Sequence, residues 1–260
     1  HSMCRIAAYT GPAIPLENII VKPAHSLLTQ SQHANEAKLA VNGDGFGIAW
    51  YGEDRAPGLY RDVLPAWADG NLASLCRMVR SELFIGHIRA STVGETSRAN
   101  CHPFTYGRWS FCHNGQVPHY PQIRRRLEQA LPDDLYAHRR GTTDSEMIFL
   151  TLLAQGLDRD PAAALQATLD LLGPATDGAP IKLTLVFSDG ETLYAFRHAS
   201  DGQCPTLYLS GVLDHGGRAV ASEPLCGQSD RWTAVPKDTL CAVTAQGWAM
   251  APVATARSAA

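Results

Sequence analysis

The spacing of apolar residues changes twice along this chain, and those two changes restrict the fold more than any other feature of the sequence. Up to His113 the apolar runs are short and strand-like, at residues 5–9, 46–51, 83–89 and 109–113. Only Leu16, Ile19 and Ile20, and then Leu72, Leu75, Cys76 and Val79, recur at helical spacing in that half. The pattern then turns helical. Residues 122–131 form an exposed, Arg-bearing helix, and Thr143-Asp144-Ser145-Glu146 is a helix-start signature ahead of a strongly apolar run. Pro161 opens a third helix ending at Gly173. From Ile181 the period returns to two: Leu183, Leu185 and Phe187 alternate, Asp189-Gly190 is a hairpin turn, and residues 193–197 resume the alternation. Further short strands are expected at 206–209, 218–222, 240–243 and 248–250. Strands, then helices, then strands without strict alternation predict an α+β layered fold. No Pro/Gly/Ser-rich linker interrupts it, so residues 4–253 are expected to be one domain and residues 254–260 a disordered tail.

Several function classes drop out. Gly43, Gly45 and Gly47 lead into a strand, whereas a dinucleotide site needs its glycines between a strand and a helix. The 22 basic against 25 acidic residues leave a net charge of −3, with no basic footprint for nucleic acid. No stretch reaches the length of a membrane span and no secretory leader opens the chain, so the expected location is cytoplasmic, away from membranes. The seven cysteines are odd in number and contain no C-x-x-C pair, which argues against a disulfide framework. Cys101-His102 and Cys112-His113 pair soft and imidazole ligands, but neighbours on a strand point to opposite faces and the spacing fits no zinc pattern. Neither a metal nor a cofactor is expected.

The start, His1-Ser2-Met3-Cys4, reads as a short cloning remnant closed by an initiator Met, which would leave Cys4 with a free α-amine. An α-amine titrates near neutrality, so a terminal Cys carries both an attacking atom and its base. Gly86-His87-Ile88-Arg89-Ala90-Ser91-Thr92 puts an Arg at the end of an apolar strand, where its planar fork can grip a carboxylate. His113-Asn114-Gly115 ends another strand, turning the chain sharply and offering a side-chain amide and a Gly N–H as oxyanion donors. Asp144 lies at a helix start and can receive an ammonium group. Singly, these are also an ion pair, a turn and a cap; together they describe a glutamate-recognition site beside a nucleophile.

Met3-Cys4, residues 42–50, Gly86 to Thr92, Cys101-His102-Pro103-Phe104, His113-Asn114-Gly115-Gln116, Thr142 to Glu146 and Ala221-Ser222-Glu223-Pro224 occur in the order of a known family. On these elements the chain resembles the class II glutamine amidotransferases, which are N-terminal-nucleophile hydrolases. The resemblance implies a four-layer αββα sandwich of two mainly antiparallel sheets. It also implies that Cys4 is the nucleophile, its amine the base, and Asn114 with Gly115 the oxyanion hole. Arg89 and Thr92 would hold the substrate carboxylate and Asp144 its α-amino group, with His113 among the substrate-binding residues. The loop from Ser91 to Asn100 would close over the substrate.

The expected reaction is cleavage of the γ-glutamyl amide of glutamine or of a γ-glutamyl amine through a thioester. The strands after Ile181 read as the rest of the same core, so no acceptor domain is expected within this chain. The segment Pro23 to Ser31 is similar to the branch containing the ergothioneine-pathway γ-glutamyl amidohydrolase. Two alternatives stay open: a glutaminase subunit passing ammonia to a separate synthase or pathway-enzyme partner, and a silent γ-glutamyl-binding protein.

Overall fold

The computed structural model describes residues 4–33, 43–90, 95–227 and 229–253. Among these described residues, thirteen strands fall in the order β1 (Arg5–Pro15), β2 (Phe46–Trp50), β3 (Gly58–Asp62), β4 (Arg80–Ile88), β5 (Phe104–Tyr106), β6 (Trp109–Gln116), β7 (Lys182–Ser188), β8 (Leu193–Ala199), β9 (Tyr208–Ser210), β10 (Arg218–Ala221), β11 (Trp232–Ala234), β12 (Thr239–Val243) and β13 (Trp248–Pro252). Among them lie α1 (Glu17–Ile20), α2 (Leu27–Gln32), α3 (Leu72–Met78), α4 (Tyr120–Gln129), α5 (Asp133–His138), α6 (Asp144–Ala154) and α7 (Pro161–Ala175).

The strands make two antiparallel sheets. One has the order β11-β9-β10-β1-β4-β2-β3 and the other β13-β12-β8-β7-β6-β5. Period-two alternation divides each strand between two cores. In β1, Ile6 and Ala8 face the layer between the sheets, where they meet Cys112 of β6 and Val186 of β7, while Ala7 and Tyr9 face the layer containing α1, α2 and α3. In β7, Leu183, Leu185 and Phe187 pack instead against α4, α6 and α7, with Phe111 and Phe149 stacked at 5.1 Å. Helices therefore cover the outer face of each sheet, giving the expected α+β sandwich of four layers.

Two local expectations change. Asn114-Gly115 is not a turn: β6 continues through it to Gln116, because β7 offers a partner for every residue to Lys182. The exposed helix begins at Tyr120 rather than at residue 122, and α5 follows it. The expected tail, 254–260, lies outside the described residues. Among the described residues no helix is long and apolar enough to cross a membrane.

Candidate active site

Cys4 immediately precedes β1, a central strand, and so stands at the lip of the inter-sheet layer. The Ala90 N–H donates to its Sγ at 3.4 Å, and the thiol points back at the Ala90 carbonyl at 3.7 Å. Its own carbonyl accepts from Asn114 Nδ2 at 2.8 Å and from Arg5 Nη1 at 3.3 Å. Burial pushes the thiol above its ordinary pKa, while the Ala90 hydrogen bond and the charges of Arg89 and Arg5 pull it back. A thiol held this way would need a base in order to act as a nucleophile.

Arg89 follows β4. Its N–H donates to the Gly45 carbonyl at 2.8 Å and its carbonyl accepts from Asp44 at 3.1 Å, so the Gly-rich approach to β2 holds it in place. Its side chain is 4% exposed. Asp144 is the first residue of α6, whose N-cap Thr143 accepts from the Glu146 N–H at 3.2 Å. The positive end of the helix favours a carboxylate there, and Asp144 Oδ2 accepts from the Val117 N–H at 2.8 Å. Glu146, further along the same turn, accepts from the N–H groups of Arg140 and Gly141 and fixes the approach to the helix.

His113 is buried on β6, with Nδ1 2.9 Å from Ser145 Oγ and Nε2 3.1 Å from the Lys182 carbonyl. A carbonyl only accepts, so Nε2 carries the hydrogen and Nδ1 accepts from Ser145. Burial lowers the imidazole's pKa against the opposing pull of Asp144. Gly115 has φ +154°, and a Cβ there would collide with the Lys182 carbonyl oxygen, which is why β6 carries a glycine one residue before its end.

These elements enclose a cleft of about 160 Å³ that Cys4, Arg89, His113, Gly115 and Asp144 all line. Larger hollows of about 390 and 800 Å³ lie elsewhere and contain none of them. Asn114 adjoins the cleft, with its amide on the Cys4 carbonyl. Thr92 lies outside the described residues, as does the first part of the expected closing loop. The end of that loop is pinned: Asn100 Nδ2 donates to the Glu95 carbonyl at 3.0 Å and to Thr142 Oγ1 at 3.1 Å, while its Oδ1 accepts from the Thr142 N–H at 2.8 Å.

No place in the cleft was expected for the side chains of Asn100, His102 or Tyr120, yet all three line it. His102 is 4% exposed, stacks on His87 at 4.1 Å, and has no hydrogen-bond partner for either ring nitrogen among the described residues. Its signal was present in the Cys101 to Phe104 motif. No group of three His, Cys, Asp or Glu among the described residues could hold a metal ion.

The family profile described as "Glutamine amidotransferases class-II" matches residues 17–213. A probable glutamine amidotransferase of Saccharomyces cerevisiae is 32% identical, with 96% of this chain and 84% of that protein covered. The γ-glutamyl-hercynylcysteine sulfoxide hydrolase of Mycobacterium tuberculosis is 28% identical over 94% of both. A solved structure of a glutamine aminotransferase class-II domain protein from Silicibacter pomeroyi superposes with a TM-score of 0.78 at 36% identity, covering 96% of this chain and all of that one.

Proposed function

Because the chain belongs to the class II glutamine amidotransferases and is an enzyme of that type, we propose that it hydrolyses the γ-glutamyl amide bond of glutamine or a γ-glutamyl amine through a thioester on Cys4. The observation that carries this reading is the meeting, around one cleft, of a thiol, a buried guanidinium and a helix-start carboxylate from three distant parts of the chain. Arg89 takes the substrate's α-carboxylate in a bidentate grip, Asp144 takes its α-ammonium, and Thr92 assists at the carboxylate end. These contacts present the γ-carbonyl to Sγ.

The Cys4 α-amine, free once residues 1–3 are absent, accepts the thiol proton as sulfur bonds to the γ-carbon. The negative charge moves to the carbonyl oxygen, where the Gly115 N–H and Asn114 Nδ2 receive it. An amide nitrogen has two hydrogens, so Asn114 can serve the oxyanion while still donating to the Cys4 carbonyl. The carbon–nitrogen bond then breaks, and the leaving nitrogen takes the proton held by the α-amine. Water, deprotonated by the same amine, attacks the thioester; sulfur leaves and is reprotonated, and glutamate departs. His113, neutral and spanning Ser145 and Lys182, keeps the start of α6 against β6 beneath the substrate.

Similarity along nearly the whole length of a γ-glutamyl-hercynylcysteine sulfoxide hydrolase supports a γ-glutamyl amine, rather than free glutamine, as the substrate of this chain. The test is product release by protein beginning at Cys4, following glutamate and ammonia with glutamine, and glutamate with a panel of γ-glutamyl amines. Faster turnover of one γ-glutamyl amine is expected. Preference for glutamine would instead favour delivery of ammonia to a synthase partner. With residues 1–3 attached, the Cys4 nitrogen is a non-basic amide and activity should be lost; equal turnover by both forms would refute the amine as base.

A further inference from the structure

Two sequence elements take no part in the cleft: the segment around His25 that leads into α2, and Ala221-Ser222-Glu223-Pro224 at the end of β10. The fold brings both behind the nucleophile. Arg5, the residue after Cys4, is fully buried, and its Nη2 lies 3.3 Å from Oε1 of Glu223, whose side chain is 2% exposed. The other carboxylate oxygen, Oε2, lies 2.6 Å from His25 Nε2. Gln30 Nε2 donates to the carbonyls of His25 at 3.0 Å and Glu223 at 3.4 Å. The preceding residue is stitched to β1, for Ile6 N–H donates to Ser222 Oγ and Ser222 N–H to the Ile6 carbonyl, both at 2.9 Å.

A buried ion pair adds little stability over apolar residues of the same volume, because each charge pays for leaving water. Its place in the fold therefore points to another role. Arg5 Nη1 and Asn114 Nδ2 both donate to the Cys4 carbonyl, which fixes that peptide plane and, through Cα, the directions of Sγ and the α-nitrogen. The ion pair with Glu223 holds the guanidinium within reach of that carbonyl.

We propose that Glu223, anchored by His25, is a positioning residue for Cys4 that acts through Arg5; the inference rests on Cys4 being the nucleophile. Glu223→Gln, in protein beginning at Cys4, removes the charge and keeps the shape. Turnover of a γ-glutamyl substrate is measured together with the rate at which iodoacetamide alkylates Cys4, read by peptide mass spectrometry with Cys204 as reference. A misplacement of about 1 Å costs up to about 100-fold in rate, so kcat should fall about 10- to 100-fold. KM should stay within about twofold, since Arg89 and Asp144 are untouched, and Cys4 alkylation should slow relative to Cys204. Arg5→Lys should recover part of the kcat that Arg5→Met loses. Unchanged kcat and unchanged alkylation in Glu223→Gln would overturn the proposal; so would equal kcat in the two Arg5 variants, which decide the matter if Glu223→Gln does not fold. Absence of turnover in the unsubstituted protein would refute the hydrolase reading instead, and the alkylation rates would still decide the positioning role.

Discussion

Lowering the pH should unfold this protein through its buried histidines, and His87 sets the scale. It lies on β4 on the same face as Leu83 and Ile85, fully buried and stacked on His102. Burial pushes its imidazole down to about 3, against the pull of the His113 backbone. The unfolded chain takes up this proton near pH 6.5, whereas the folded chain refuses it until about pH 3. Between those limits the unfolded state binds more protons, so stability is full above about pH 6.5 and falls as the pH drops. The slope is about 1.4 kcal/mol per pH unit, or about 3 kcal/mol by about pH 4.5. His102 and His113 are shifted in the same direction by burial and steepen the fall. Urea unfolding across this pH range, compared between the unsubstituted protein and His87→Leu, isolates the one histidine. The variant should lose less stability by that amount, a difference of about 1 M in midpoint. The slope is compared rather than the stability at neutral pH, so any repacking around Leu drops out. Parallel curves for the two proteins would refute the assignment of His87 as a neutral, buried proton acceptor.

Arg89→Lys keeps a positive charge in the cleft but loses the fork that grips a carboxylate in two places. KM for a γ-glutamyl substrate should rise about 10-fold or more with a smaller change in kcat; steady-state kinetics with an unchanged KM would remove Arg89 from the carboxylate site. Gly115→Ala should be poorly tolerated, because its Cβ meets the Lys182 carbonyl and its backbone is in a region costly to other residues. A loss of at least about 2 kcal/mol, seen as a lower Tm, is expected; an unchanged Tm would show that β6 and β7 can part there without cost.

The legible parts of this fold were the elements whose burial is one-sided. β7 and β8 announced themselves by alternation, and α6 by a cap that the structure retains between Thr143 and Glu146. β3, half-buried along its whole length, and the three-residue strands β5 and β11 offered no such pattern. α5, only six residues long with Leu135 as its one buried side chain, was hidden for the same reason. Asn114-Gly115 misled because its local preference for a turn is outweighed by pairing with β7, a partner far away in sequence. The same limit applies at the site. Cys4, Arg89 and Asp144 could be named from motif order, but the contact of Cys4 with Ala90 and of Arg5 with Glu223 joins residues that no local period connects.

The proposed thioester is the step on which every proposed role depends, and acid-quenched mass spectrometry during turnover of a γ-glutamyl substrate tests for it directly. Protein beginning at Cys4 should carry the mass of one glutamyl group on the peptide that contains Cys4, and Cys4→Ala should carry none and release no glutamate. Glutamate release by Cys4→Ala, or an adduct on any other residue, would contradict Cys4 as the nucleophile.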